Sequence, residues 1–536
     1  MTTYPQDYDF VIIGGGSAGA IVATRLAGDP DNRVLVLEAG PENTSYWSRV
    51  LLGFAKILFN PKFMWLDWKT QPDESLGGTV YALPHGKLLG GSSAINGLVH
   101  VRGNPGDYDA WEKAGATGWN YASMLPYFKK SEHDSRGETE FHGGSGPFKV
   151  EPARWRNPLA EAFIDTTSRI LGVPRNDDFN RDRIEGAGYW DLATWNGRRT
   201  STDVAYLRPA RKKPNLTVTT EATVIRIEFD GRRATGVTYR RNGHEYRIPA
   251  RRDVVLSAGA LHTPHLLQVS GVGPGAPLQR HGIRVVHDLP GVGENLMDHV
   301  QYGAKFKTTS PYTFNKKVGS WFTQGIEGVK DYLLPRNGPL NIGASLAGAL
   351  FRTNQALSEP DIQLRFLPFM PGDKGWDLAK FSGFQLGMYQ GWPHSRGYAR
   401  ITSPSVDAQP DFVFNHLSHE EDVAVAMAGM RAAMKIAAAM PADLQIEQIA
   451  PRPNPSDDEL LQYIKETSDT AFHFAGTARM GTDDKAVVDP LTMQVRGIEG
   501  LRVVDASVLP GKVTANIHPA VIATAERAAD LIKATR

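Results

Sequence analysis

The chain has 536 residues, 41% hydrophobic and 22% charged, a globular composition that excludes a mostly disordered or fibrous protein and allows three to four units at about 150 residues each. Lys plus Arg number 59 against 58 Asp plus Glu, a net charge of +1, so no global field favours nucleic acid as partner. Cysteine is absent, which excludes disulfides, thiolate nucleophiles and cysteine-ligated zinc or iron–sulfur clusters, and fits a reducing, cytoplasmic setting.

The first residues carry no basic stretch ahead of an apolar run, so no secretory signal is expected. No run approaches 18 apolar residues, so no transmembrane helix is expected. Tyr8 to Ile13 reads as a short buried strand, and Gly14, Gly16 and Gly19 follow at G-x-G-x-x-G spacing. Gly14 allows the tight turn, Gly16 the approach of a pyrophosphate, and Gly19 close helix–strand packing. Ala18 to Leu26 reads as a helix whose N-terminus offers free N–H groups to phosphates. Arg33 to Leu37 is a second strand ending in Glu38, 19 residues after Gly19, placed to accept ribose hydroxyls. This order of elements makes a dinucleotide site. It does not by itself separate FAD from NAD.

The stretch Val50 to Phe59 and Phe63 to Leu66 is greasier than a surface loop. It reads as a buried or lid-like segment, with peripheral contact to a membrane or a partner subunit as the alternative. Residues 84–106 are glycine-rich with interspersed Leu, Ile and Val, as expected of backbone pressed against a flat or phosphate-bearing group. From Leu216 the pattern is strand-rich: Leu216 to Thr220, Ala222 to Phe229, Ala234 to Arg240, Glu245 to Pro249 and Val254 to Ser257, with hairpin turns at Asp230-Gly231 and Asn242-Gly243. Asp422 to Ala438 is a helix whose Met427, Met430 and Met434 are packing residues. Leu501 to Asp505 is a strand ending in an acid, and Pro519 to Ile532 a helix with Pro519 in its first turn. This interleaving predicts one discontinuous cofactor domain with a substrate domain inserted between its parts.

Two histidines stand out. His473 lies in an apolar, glycine-containing setting, and His518 lies just before the final helix, where imidazolium is disfavoured and a neutral base is kept. A histidine base is a natural acceptor for an alcohol proton beside a dinucleotide. His262 and His265 have Pro264 between them and no adjacent third ligand, and His281, His287 and His299 form no metal-ligand pattern, so no catalytic metal is expected. No G-x-S-x-G elbow supports hydrolase chemistry.

The chain resembles the glucose–methanol–choline (GMC) family of FAD-dependent oxidoreductases over almost its whole length. Gly86-Lys87-Leu88-Leu89-Gly90-Gly91-Ser92-Ser93-Ala94-Ile95-Asn96-Gly97 is similar to the first family signature, and the stretch from Gly259 to Gly273 to the second. The resemblance is to its choline-dehydrogenase-like, alcohol-oxidising branch. It implies an α/β fold: a Rossmann-like FAD-binding domain over 1–157, 194–305 and 462–536, and an α+β substrate domain on an antiparallel sheet over 158–193 and 306–461. It implies FAD held by Gly14, Gly16, Ser17, Gly19, Glu38, Gly91, Ser93, Asn96, Gly97, Val224, Asp505, Ala506 and Pro519. Ile95 stands where some members carry a flavin-linking histidine, so the FAD is expected to be noncovalent. His473 matches the first active-site histidine and His518 the second position; Phe474 replaces the usual proline after the first.

The implied reaction is oxidation of a primary alcohol to the aldehyde. His473 takes the hydroxyl proton, the carbon passes hydride to flavin N5, and His518 stabilises the alkoxide. Oxygen or a quinone-type acceptor then takes the electrons. Aromatic residues near Phe54, Phe59, Phe63, Trp65, Phe366, Phe369 and Trp392 favour an aryl or long-chain alcohol. Choline, sugars, and a non-oxidising lyase or decarboxylase are the alternatives. The chain is expected to be a monomer or homodimer.

Overall fold

The computed structural model describes residues 2–3, 7–53, 57–333, 336–372 and 377–535. Val34–Leu37 pairs in parallel with Tyr8–Ile13 on one side and with Leu216–Thr219 on the other. All six residues of Tyr8–Ile13 are buried, as expected of a strand covered on both faces. Its other neighbour is the C-terminal half of His244–Leu256, which also pairs in parallel with Leu501–Val503. The N-terminal half of that strand pairs antiparallel with Arg233–Arg241, and this in turn with Thr223–Asp230. The expected turns are present: Asn242 and Gly243 both have positive φ, 50° and 76°, as such two-residue turns require.

The stretches Glu245 to Pro249 and Val254 to Ser257 are one strand, not two. Arg251 and Arg252 interrupt the apolar pattern but not the backbone pairing: Arg251 reaches Asp9 at 3.1 Å, and the register irregularity lies between Ala250 and Asp253. The final helix runs Ile517–Ala534, starting two residues ahead of Pro519, and lies along Gly19–Leu26. Arg25 and Glu526 join the two helices with hydrogen bonds of 2.8 and 2.6 Å.

A second sheet of seven strands has the order Glu447–Ala450, Val300–Lys307, Gly383–Gln390, Ile362–Leu367, Ala347–Phe351 and Gly186–Tyr189, with Asp469–Thr470 also on Val300–Lys307. Every pairing is antiparallel. The helices Pro158–Leu171 and Glu420–Ala438 cover one face. Met388 and Ile362 of that face meet Gly429. Successive side chains alternate between faces, so Gln363, Arg365 and Tyr389 look the other way, toward the start of the final helix.

The lid-like segment is fastened to the glycine-rich loop. Met64–Trp65 pairs with His85–Gly86, and Ile57, Met64, Leu88, Ala94 and Ile95 form a small apolar cluster. Tyr46, Trp47 and Phe59 are exposed. No helix among the described residues is long and apolar enough to cross a membrane.

Candidate active site

The glycine turn and Glu38 lie at the carboxyl ends of the parallel strands, where such sheets bind ligands. A Cβ on Gly14 would strike the Ser257 carbonyl and one on Gly19 the Gly14 carbonyl, whereas a Cβ on Gly16 would meet nothing nearer than Gly91 Cα at 3.7 Å. The turn therefore packs tightly against the protein at Gly14 and Gly19, while Gly16, next to Ser17 at the entry to the helix, has only ordinary contact with Gly91. Both Glu38 oxygens accept backbone N–H bonds of 2.8 Å, from Gly15 and Gly40. Burial raises its carboxyl to about 7, against the pull of those N–H groups and of Lys87. Val224 lies two residues beyond Ala222, whose N–H donates to the Glu38 carbonyl at 2.9 Å.

The loop of the first signature folds over this turn. Gly90 N–H donates to the Gly15 carbonyl at 2.8 Å, and Gly91 sits with φ +51° against Gly16. The Ser93 hydroxyl donates to the Gly90 carbonyl and accepts the Thr202 N–H at 3.0 Å. Asn96 Oδ1 accepts from Arg199 Nη1 at 2.7 Å. Gly97 leaves room for Ala344. Asp505 accepts the Gly259 N–H at 2.9 Å and the Thr263 hydroxyl at 2.6 Å. The Ala506 carbonyl accepts the Gly476 N–H at 3.1 Å, which ties this end to the His473 loop. Pro519 is buried in the first turn of the last helix.

His473 is held at three points. Its N–H donates to Asp298 Oδ1 at 2.8 Å, its carbonyl accepts from Lys512 Nζ, and Phe472 before it takes a left-handed φ of 61°. That conformation is strained for an aromatic residue, and the imidazole that follows it meets His299, Tyr389 and Asn516. The proton positions follow from the hydrogen-bond network. The Gly391 carbonyl can only accept, so His299 Nε2, 3.1 Å away, is the donor. Neutral His299 then accepts at Nδ1 from His473 Nδ1, at 2.8 Å. His473 Nε2 is left as an acceptor, and Asn516 Nδ2 donates to its lone pair at 3.3 Å. Asn516 Oδ1 accepts from Gln363 Nε2 at 3.4 Å, and Gln363 Oε1 accepts the Tyr389 hydroxyl. Burial, then the Lys512 and Arg365 charges, push His473 well below its ordinary range, so it stays neutral.

His518 lies two residues past Asn516, in the first turn of the last helix. Its ring packs edge-on against Phe148 at 5.6 Å, and its Nε2 is buried without a partner. Burial, with His100 and Arg199 nearby, lowers it to about 3. Arg199 Nε and Nη2 are also buried without partners. These orphaned groups and the Glu38 carboxylate beside the glycine turn fit a flavin dinucleotide.

The sequence does not mark His299, Asn516, Gln363, Tyr389, Arg199, Arg365 or Lys512 as site residues: Gln363, Arg365 and Tyr389 come together only through the register of the antiparallel sheet, and Asn516, Lys512, Arg199 and His299 only through contacts distant in the chain. Phe474 packs on Phe414 at 5.7 Å in an apolar cluster with Trp68 and Phe412. The aromatic residues do not gather as a wall: Phe366 stacks on Phe163 at 4.9 Å in the core, Trp392 donates to Asp107, and Phe54 lies outside the described residues.

Models of the GMC oxidoreductase family match residues 8–301 and 393–525. An oxygen-dependent choline dehydrogenase of Staphylococcus aureus (strain MSSA476) is 39% identical over 99% of this chain and 94% of its own. Among solved structures, pyridoxine 4-oxidase from Mesorbium loti superposes with a TM-score of 0.87 at 29% identity, covering 98% of this chain and 99% of its own. Formate oxidase of Aspergillus oryzae RIB40 superposes with a TM-score of 0.89 at 27% identity, covering 100% and 99%.

Proposed function

The chain belongs to the GMC oxidoreductase family, whose members carry out FAD-dependent oxidation of CH–OH groups, and we propose that it converts a primary alcohol to the aldehyde with His473 Nε2 as the proton acceptor. The observation that carries this reading is the chain of hydrogen bonds from the Gly391 carbonyl through His299, which leaves a lone pair on Nε2 of a neutral, buried imidazole. Bound FAD supplies the two-electron acceptor. Gly14, Gly16, Ser17 and Gly19 would hold its pyrophosphate, Glu38 and Val224 its adenosine, and Gly91, Ser93, Asn96, Gly97, Asp505, Ala506 and Pro519 its flavin half, noncovalently. Asn516 orients the hydroxyl beside His473, and His518 offers its unpartnered Nε2 to the oxygen that loses the proton. Oxygen or a quinone-type acceptor takes the electrons onward.

The aryl or long-chain reading of the substrate loses its support once Phe366 and Trp392 are seen in other roles. The 39% identical choline dehydrogenase favours the alternative of choline or a sugar as the alcohol. Choline is a cation and formate an anion, so the relatives' names leave the charge of the substrate to be decided by the site. The test is anaerobic bleaching of the flavin by alcohols. His473→Ala should keep its flavin content and lose about 10²- to 10⁴-fold in reduction rate. Reduction at the wild-type rate would overturn the assignment.

A further inference from the structure

Arg365 lies on Ile362–Leu367, on the face that carries Gln363 toward Asn516. Its cross-strand neighbours are Gly387 and Gly348, and beyond them Gly303 and Gly188. One side chain thus stands in a row of glycines five strands wide. A Cβ on Gly387 would lie in ordinary contact with Arg365 Nη2, at 3.5 Å, which places the guanidinium over the Gly387 backbone. Its carbon lies 5.3 Å from the centre of the Tyr389 ring, and that ring lies 5.4 Å from His473.

The cation has no counter-charge. Nη2 donates to an amide oxygen, Gln301 Oε1, and Nε is buried without a partner. Among the described residues no carboxylate pairs with it, and the nearby acids are occupied. Asp298 accepts from the His473 N–H and the Thr470 hydroxyl. Asp107 accepts from Thr514, Asn104 and Trp392. Asp422 accepts from the backbone of His394 and Ser395 and from Gln390. A half-buried guanidinium with no counter-charge is costly unless the ligand brings the opposite charge. Arg199 donates to Asn96 in the glycine-rich loop and Lys512 to the His473 carbonyl; Arg365 lies on the substrate sheet, on the face turned toward Asn516.

We propose that the substrate is an alcohol that also carries an anionic group, a carboxylate by shape, which the Arg365 guanidinium receives while the hydroxyl meets His473 Nε2. The proposal rests on the alcohol-oxidation reading of the same site. A planar guanidinium matches a carboxylate and repels a quaternary ammonium, so choline is disfavoured despite the relatives.

Two charge series test this with the flavin-loaded enzyme at fixed ionic strength: 4-hydroxybutanoate, 4-hydroxybutanamide and choline; and 4-(hydroxymethyl)benzoate with its amide. For at least one frame, kcat/KM for anaerobic flavin reduction should favour the acid over the amide by about 100-fold, with choline slowest. In Arg365→Met that ratio should collapse to a few-fold. Where this variant does not fold, the wild-type ratios decide alone. Amides equal to or better than acids, or choline fastest, would overturn the proposal. A binding arm separates the two readings: benzoate should perturb the flavin spectrum of the wild type and not of Arg365→Met. If benzoate does so while no alcohol of any charge bleaches the flavin, alcohol oxidation falls and the anion site stands. If neither occurs, both fall.

Discussion

Lys512 is a buried amine with no carboxylate in direct contact; it donates to the carbonyl of His473, and Asp298 holds the N–H of the same residue. Burial lowers Lys512 to about 7 and raises Asp298 to about 6. Below about 7, then, Lys512 is cationic, and its charge is one cause that keeps His473 unprotonated. A base works only above its own pKa. Removing the cation raises the pKa of His473, so Lys512→Met should move the acid limb of kcat/KM for flavin reduction to higher pH, with the alkaline plateau least affected. An acid limb unmoved in the variant would show that Lys512 only braces the loop. At this scale the sequence was half legible. His473 and His518 were marked by what surrounds them in the chain. His299 and Asn516 acquire meaning only when Gly391 and Gln363, distant in sequence, come within hydrogen-bond reach.

Among the elements, the hairpin turns and the glycine turn were legible because each is a local demand on φ. The long strand His244–Leu256 was not, since its two arginines break an apolar pattern without breaking a ladder. Nor was the buried charge network that braces Glu132–Asp134 and Phe148–Pro152. There His142 bonds Glu132 through Nδ1 and Asp178 through Nε2, each at 2.9 Å, while Arg102 reaches Glu132 at 2.6 Å and Arg136 reaches Asp134 at 2.8 Å. Glu132, Asp134 and His142 lie close enough together to suggest metal ligands, but these arginines already balance the acids. The network reaches the active site through His100, which stacks on Phe148 at 5.8 Å, the ring that His518 also touches. Burial opposes protonation of His142, yet its bonds to Asp178 and Glu132 raise it from 6.5 to about 9. A pKa raised on folding adds stability that is complete below about 6.5 and is lost as pH climbs through about 9. Thermal melts should therefore fall in Tm from neutral pH toward pH 9, and His142→Gln should be less stable at pH 6 with a shallower fall. Parallel wild-type and variant curves would mean the network does not titrate as a unit.

Across the whole molecule, the proposed cradle draws on segments far apart in the chain: residues 14–19, 38 and 91–97 near one end, 224 toward the middle, and 505–506 and 519 near the other end. None of these forms a site until the strand Leu501–Val503 has docked beside His244–Leu256 and the glycine-rich loop has closed over the turn at Gly14. The only position where the family resemblance raised a covalent link is Ile95, whose side chain has no nucleophile and is packed with Ile57, Met64, Leu88 and Ala94. A ligand that binds the folded chain and not the unfolded one stabilises it by mass action, by about 2.7 kcal/mol at a free concentration 100 times its Kd. FAD should accordingly raise the Tm of flavin-depleted protein in a concentration-dependent way. Guanidinium unfolding followed by ultrafiltration should pass all of the flavin into the filtrate. Flavin retained with the unfolded chain would mean that a residue other than Ile95 forms the link, and the noncovalent assignment would be wrong.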